Sequence, residues 1–317
     1  MSSSASVSVV MSVFDKPNDV IKTIDSVLSQ RGVEFELIIV NDGAHCSVLK
    51  VLDDYKDARL VRIDQKNKGL TEALINGCAA SNSEFIARID AGDVMLPNRL
   101  QRQVEFLSED RNMAIVGCSI KMVTDEGTRL FDIVLPREEL KLGLVSTEEK
   151  LFKSFVHSSV MFRRQAYEQV GGYRSEFYFT QDCDLWARIV WAGYDVGMIE
   201  DTLQTNVFST TGISGQHRAS QQALEKIIVR MNRLRSSGRS DSDLLSEAAQ
   251  FRPTNQDLSM PYRRADNFEG DYFIASMLSV SSPKQALIYW RKALAARPWS
   301  LKALLKASVC WLRALVA

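Results

Sequence analysis

No stretch of this 317-residue chain reaches the run of about 18 apolar residues that a bilayer-spanning helix needs, so none of it is expected to cross a membrane. The start, MSSSASVSVVMSVF, has no basic residues ahead of its apolar ones, which argues against a secretory signal. The five cysteines (Cys46, Cys78, Cys118, Cys183 and Cys310) are odd in number and never spaced C-x-x-C, which argues against a disulfide framework and a zinc site. A reducing, cytoplasmic setting is expected, with peripheral membrane contact as the variant. There is no net charge either: 39 Lys and Arg balance 39 Asp and Glu, leaving no whole-chain attraction for nucleic acid. Any phosphate binding has to be local. No Gly-rich loop bearing Lys or Arg follows the first apolar run, so a cradle for a nucleoside triphosphate is also missing.

What is present is an alternation. Val7 to Val13 is a Val-rich run, followed by the turn formers Asp15-Lys16-Pro17-Asn18 and a helical stripe of Val20, Ile21, Ile24, Val27 and Leu28. Phe35 to Val40 is a second near-continuous apolar run, ended by Asn41-Asp42-Gly43 and followed by the helical positions Val48, Leu49 and Leu52. Leu60 to Ile63 reads as a third strand, and Asn67-Lys68-Gly69 opens a helix over Leu70 to Ala80. Strands alternating with helices predict a mostly parallel sheet covered on both faces. With 45% hydrophobic residues, one large or two modest domains are expected.

Two acidic constellations stand out. In SEFIARIDAGDVMLPNRLQRQVEFLSE a short apolar strand, Glu84 to Ile89, delivers Asp90 and Asp93 to a small-residue turn, and Pro97 is expected in the first turn of the helix carrying Leu100, Val104 and Leu107. Acids beyond the carboxyl end of a strand could hold a divalent cation and, through it, a diphosphate; Asp and Gly are also what an ordinary turn selects. The second, Tyr178-Phe179-Thr180-Gln181-Asp182-Cys183-Asp184-Leu185-Trp186, places two carboxylates at a helix start that ends near Gly193, where capping is the simplest role for both.

The segments SVVMSVFDKPNDVIKTIDSVLSQ, FELIIVNDG, NKGLTEALINGCAASNSEFIARIDAGD and VHSSVMFRR, in this order, resemble successive blocks of family 2 glycosyltransferases, over about the first two thirds of the chain. The resemblance implies an α/β GT-A (Rossmann-like) domain with a mixed, mostly parallel sheet. It also implies transfer of a sugar, with inversion, from a nucleotide-diphospho-sugar, a UDP-sugar first, to a saccharide or lipid-linked saccharide in cell-surface glycan synthesis. It assigns Asp42 to the base or ribose, Phe14, Asp15, Asn67, Gly69 and Asp90 to the donor site, Asp90 and Asp93 to a cation (Mn²⁺ or Mg²⁺), and Asp182 to the general base. Asp184 is then a capping or orienting acid, and His157 a supporting residue.

Three positions depart from the family pattern. Gln181 replaces the usual Glu, Gly92 replaces a middle Asp, and Asn206 to Ser214 lacks the Tyr-Arg-x-His run, for which His217 is the candidate substitute. These departures leave a non-catalytic sugar-nucleotide-binding scaffold as the alternative. Met113 to Val123 with Leu130 to Leu135 suggests an edge hairpin that reaches over the acceptor. The expected domains are 1–235 for the catalytic part, 236–267 for a polar linker with a short helix, and 268–317 for a helical extension in which YWRKALAARPWSLKALLKA resembles one tetratricopeptide-like unit. One unit is too few for a core, so it is expected to dock on the catalytic domain. The last helix, with Lys302, Lys306 and Arg313 and no acid, either docks on its neighbour or lies on an anionic membrane.

Overall fold

The computed structural model describes residues 6–208, 217–253 and 268–316. Ser6–Val13 (β1), Glu34–Asp42 (β2), Leu60–Gln65 (β3) and Phe85–Arg88 (β4) form the parallel half of one nine-stranded sheet, in the order β3-β2-β1-β4. Helices Pro17–Leu28 (α1), Cys46–Asp54 (α2) and Leu70–Ala80 (α3) supply the crossovers. Val9 and Met11 pack with Ile24 and Leu37 on one face, while Val10 and Ile38 pack with Leu74 and Cys78 on the other. That two-sided burial is why these strands read as near-continuous apolar runs. The chain lays down β1, β2 and β3 outward, then returns to the far side of β1 with β4. This reversal opens a crevice at the carboxyl ends of β1 and β4, the usual ligand position in open α/β sheets.

The other half of the sheet is antiparallel. Met161–Arg163 (β8) pairs with β4 and with Met113–Val123 (β6), and Asp195–Val207 (β9) pairs with Val94–Met95 (β5). Arg129–Ile133 (β7) pairs with β6 away from this path. Arg99–Glu109 (α4), Arg137–Leu144 (α5), Arg164–Gln169 (α6) and Gln181–Trp191 (α7) follow in chain order, then Arg218–Ser236 (α8), Leu245–Ala249 (α9), Phe268–Ser281 (α10), Pro283–Ala296 (α11) and Leu301–Val316 (α12).

Several boundaries differ from the sequence reading. Strand β2 runs on through Asn41 and Asp42, because both pair with β3, at Asp64 and Gln65. Pro97 lies outside its helix: Val94 and Met95 are held as a strand against Thr205 and Gln204, and α4 starts at Arg99 after Asn98. The last helix begins at Leu301, after Trp299 and Ser300. The polar stretch from residue 236 folds back, with Asp241 paired to Arg235 and, at 3.3 Å, to Arg174.

The chain divides into two units, one of Met1–Ile120, Ile133–Asn206 and Ala219–Ser259, the other of Lys121–Asp132, Val207–Arg218 and Met260–Ala317. The second has its own core: Ile274 and Leu278 of α10, Tyr289 and Trp290 of α11 and Cys310 of α12, with Leu130 and Phe208 packed against them. The β6–β7 turn belongs to this core, since Asp125 and Glu126 accept hydrogen bonds from Tyr289 and Thr128 donates to Gln285 at 2.6 Å. The β6–β7 hairpin packs on α11, and the helices bury a core with its help.

Candidate active site

Three loops leave the carboxyl ends of β1, β2 and β4. After β1, Phe14 and Asp15 are exposed, and the Phe14 carbonyl accepts from the His45 N–H at 3.4 Å, which joins this loop to the one after β2. Asp42 closes β2 almost fully buried. Its Oδ1 accepts from Gln65 Nε2 at 2.7 Å and Lys68 N at 2.8 Å, and its Oδ2 accepts from Gly69 N at 2.9 Å. A carboxylate offers about four lone-pair positions, so Asp42 keeps one for a ligand while it ties the 67–69 turn to β2. Asn67 Oδ1 accepts from the same Gly69 N–H at 3.2 Å. Gly69 has φ +88°, and a Cβ there would stand 2.2 Å from the Tyr178 hydroxyl, so glycine is required on both counts. Thr71 then donates to the carbonyls of Phe177 and Tyr178 at 3.0 and 3.1 Å. The donor-side turn and the segment leading to Asp182 are therefore held together.

The acidic loop divides its two carboxylates. Asp90 is half exposed and accepts from Arg88, whose buried guanidinium also donates to the Val10 carbonyl at 3.2 Å. Asp93 turns inward, where its Oδ2 accepts from Asn206 Nδ2 at 2.8 Å and Gln204 Nε2 at 3.3 Å, both from β9. The same two amides donate to Ser158 Oγ. Burial, with the Asp90 charge beside it, pushes the Asp93 carboxyl up to about 8. The turn that separates the acids has Gly92 at φ +106°, and Thr23 of α1 pins it by accepting from Gly92 N at 2.9 Å and donating to the Asp93 carbonyl at 2.8 Å. Beneath the loop, buried Arg99 of α4 donates to the Arg88 carbonyl at 2.9 Å and to Gln204.

Asp182 and Asp184 divide in the same way. Asp184 is wholly buried, receives Arg188 Nε at 2.9 Å and Nη2 at 2.8 Å, and lies 3.6 and 3.7 Å from Arg174 and Arg235. It caps nothing, which corrects the capping role: Oδ2 is held by Arg188, and the buried Oδ1 faces Arg174 and Arg235 without a hydrogen bond. Arg188 in turn donates to the carbonyls of Val170 and Gly172, so the pair clamps the turn that leads to α7. Asp182, in the first turn, is half-buried and faces the crevice. Burial raises its carboxyl to about 6 against hydrogen bonds from backbone N–H groups, and the Asp90 charge adds to the rise. His157 is half-buried, 2.9 Å from the Tyr173 hydroxyl and beside Trp186, and desolvation and Arg88 keep it neutral.

Among the described residues, the non-glycine positions with positive φ are Lys16, Asn98 and Thr180, the caps of α1, α4 and α7. Each costs about 1–3 kcal/mol, and each borders a loop of this crevice, which is where such strain tends to collect. Hydrogen bonds thus tie the loop of Phe14 and Asp15 to the one after β2, and Asp42, Asn67 and Gly69 to the segment that leads to Asp182, while the Asp93 side chain is turned to Asn206 and Gln204. Among the described residues, no three His, Cys, Asp or Glu side chains gather as a metal centre would require. His217 is half-buried, and burial lowers its pKa; Ser209 to Ser214, the rest of the departing run, lie outside the described residues. Arg88, Arg99, Tyr178, Gln204 and Asn206 carry the site's geometry and were not singled out from sequence for it. The one signal they gave was an Arg in an otherwise apolar strand.

The chain is similar in sequence to several known proteins. EpsE of Bacillus subtilis, named as a glycosyltransferase, is 30% identical over 200 residues, covering 61% of this chain and 70% of its own. The O-antigen biosynthesis glycosyltransferase WbnJ of Escherichia coli is 32% identical over 190 residues, covering 58% and 71%. The amylovoran biosynthesis glycosyltransferase AmsE of Erwinia amylovora is 26% identical over 202 residues, covering 62% and 74%. A mannosyltransferase of Pyrobaculum calidifontis, solved with GDP-Man and Mn²⁺, superimposes with a TM-score of 0.54 at 17% identity, over 98% of this chain and 86% of that one. That likeness shows the GT-A type of fold. The model of the family described as glycosyl transferase family 2 matches residues 8–171, from β1 through the acidic loop to the turn after α6, and with more than half of its length matched the chain belongs to that family.

Proposed function

We propose that the chain is an inverting glycosyltransferase that moves a sugar from a nucleotide-diphospho-sugar to a hydroxyl of a saccharide or lipid-linked saccharide in cell-surface polysaccharide synthesis. The observation that carries this reading is the family 2 match over residues 8–171, and Asp182, half-buried in the first turn of α7 and raised by burial and the Asp90 charge to about 6, supports it. A carboxyl at that value is ionised at neutral pH yet more basic than an ordinary aspartate, as a general base should be. In the proposed step Asp182 accepts the acceptor's hydroxyl proton as that oxygen bonds the anomeric carbon. The bond from this carbon to the diphosphate oxygen breaks, and the nucleotide diphosphate leaves with the electron pair. Attack opposite the leaving group inverts the anomeric centre. Beyond the two acidic constellations the sequence offers no third that would supply a nucleophile for a covalent route.

Asp42 uses its remaining acceptor position for the nucleoside, between Phe14 and Asp15 on one side and the Asn67–Gly69 turn on the other. Asp90 fits a divalent cation, Mn²⁺ or Mg²⁺, because it is an exposed carboxylate on the crevice loop. Such an ion supplies charge compensation for a diphosphate when bound. Asp93 fits poorly: its Oδ2 accepts from the Asn206 and Gln204 amides, and burial beside Asp90 favours the protonated carboxyl. We assign it to holding the loop. UDP-sugars are the first donors to test, and GDP-mannose, the ligand of the archaeal neighbour, the second. Purified protein incubated with each donor and Mn²⁺ should release the nucleotide diphosphate and bind it in thermal-shift assays. A folded protein that neither binds nor consumes any of them would overturn the proposal.

A further inference from the structure

The last helix of the second unit packs inside out. At about 100° per residue, Ala303, Ala307, Cys310 and Ala314 of α12 share one narrow stripe, and these small residues make its packed face, with Ala303 and Cys310 fully buried. Its large apolar residues point away. Leu301, Leu304, Leu305, Val309, Trp311, Leu312 and Leu315 are between 41% and 75% exposed. Trp299, just ahead of the helix, is 75% exposed. Helices of folded domains ordinarily bury such residues and show their small or polar ones, and contiguous apolar patches of this kind mark interaction surfaces.

The border of the patch has a sign. Lys302, Lys306 and Arg313 fall within about 40° of one another on the helical wheel, between the packed stripe and the exposed apolar arc. Lys302 and Lys306 lie 5.9 and 4.8 Å from the Tyr272 ring, and Lys306 and Arg313 reach Ser276 Oγ and the Ser279 carbonyl at 3.4 Å. Among the described residues none of the three has a carboxylate in ion-pairing range, and Leu301 to Val316 contains no acid. A groove of about 330 Å³ between α10 and α12, lined by Val280, Leu305, Val309 and Arg313 among others, extends the apolar surface beside them.

We propose that α12 docks flat on an anionic lipid bilayer, with its leucines and Trp311 in the outer acyl region and its cations at the headgroups. Charge decides the occupant. In a second copy the same face would bring three cations against three cations without an acid to answer them, whereas anionic headgroups complement them. Tryptophan near both ends suits the water–lipid boundary. Among the described residues no helix is long and apolar enough to cross a membrane; the 16 residues of α12 make about 24 Å, short of the roughly 30 Å hydrocarbon core.

Flotation of the full chain with vesicles tests this, comparing phosphatidylcholine alone with phosphatidylcholine containing phosphatidylglycerol. The wild type should float only with the anionic vesicles and be released by raised salt. The Lys302→Gln, Lys306→Gln, Arg313→Gln variant should bind about 100-fold more weakly. Leu305→Ser with Leu312→Ser, both exposed, should also lose binding while keeping the wild-type circular dichroism and melting temperature. Absence of wild-type flotation, or variants that float as well as the wild type, would overturn the proposal. So would a wild-type dimer that the serine variant dissolves while vesicle binding persists, because the face would then belong to a second copy.

Discussion

The two acidic constellations make the same division by different means. In each, one carboxylate faces the crevice and its neighbour is turned into the protein: Asp90 against Asp93, and Asp182 against Asp184. On the loop the division comes from Gly92, whose left-handed backbone reverses the chain between the two acids. On α7 it comes from the helix itself, since side chains two residues apart point to nearly opposite sides. The inward partners then differ in company. Asp184 sits among arginines that match its charge, and Asp93 among neutral amides that do not. Proximity of acids in sequence is therefore no measure of shared chemistry; what each oxygen accepts from is.

The sharpest way to break the comparison is to exchange oxygen for amide at the outward member of the second pair. Asp182→Asn should lower transfer by about 10²–10⁴-fold with donor affinity nearly intact, as loss of a general base does. In the wild type, kcat/KM should fall as pH drops through about 6, because the base has to be ionised and protonation removes it. NMR of the product should show the inverted anomer. A nearly active Asp182→Asn enzyme would erase the distinction between the two aspartates.

The inward member should respond in stability. Asp184→Asn leaves Arg188 without its buried counter-charge and Arg174 and Arg235 with Asp241 alone, and breaking such a buried pair costs about 3–5 kcal/mol. Urea denaturation would measure it. Donor affinity in whatever fraction stays folded should be unchanged. A loss of transfer without loss of stability would move Asp184 into the chemistry.

Much of this frame could be read from the sequence. The alternation of apolar runs and helical stripes places β1 to β4 correctly, and Leu70 to Ala80 and Met113 to Val123 have the observed ends. Local periodicity suffices there because each element buries a face its own residues define. The direction of Asp93 was not legible, because its partners Gln204 and Asn206 lie 111 and 113 residues away. Arg88 and Arg99 were hidden for the same reason: a buried guanidinium is stable only when distant carbonyls meet it, and no short motif displays them. The polar stretch from residue 236 reads as a linker by composition, yet Asp241 finds Arg174 and Arg235 and the stretch folds back.

Within the acidic loop the comparison turns on the cation. Asp90→Asn should remove most of the gain that Mn²⁺ gives to nucleotide-diphosphate affinity, measured by calorimetry with and without the ion. Asp93→Asn should keep most of that gain. The reverse result would mean that Asp93 turns outward when donor binds, and that the pair shares the ion after all.

The smallest effect expected is also the most specific to Asp93. Its folded-state pKa, about 8, lies above that of an unfolded aspartate near 3.8, so between those values the native state holds a proton that the unfolded state has released. Stability must then decline as pH rises from about 4 to about 8 and level off beyond. Asparagine at this position retains an acceptor oxygen for Asn206 and Gln204 but has no charge to desolvate. Asp93→Asn should therefore melt at least as high as the wild type at pH 8, and should flatten the decline between pH 4 and 8 without altering the acid side. Melting curves for the two proteins across that range measure the difference directly. If the variant keeps the wild-type slope, the decline belongs to another group, Asp93 is ionised in the folded protein and the contrast with Asp184 disappears.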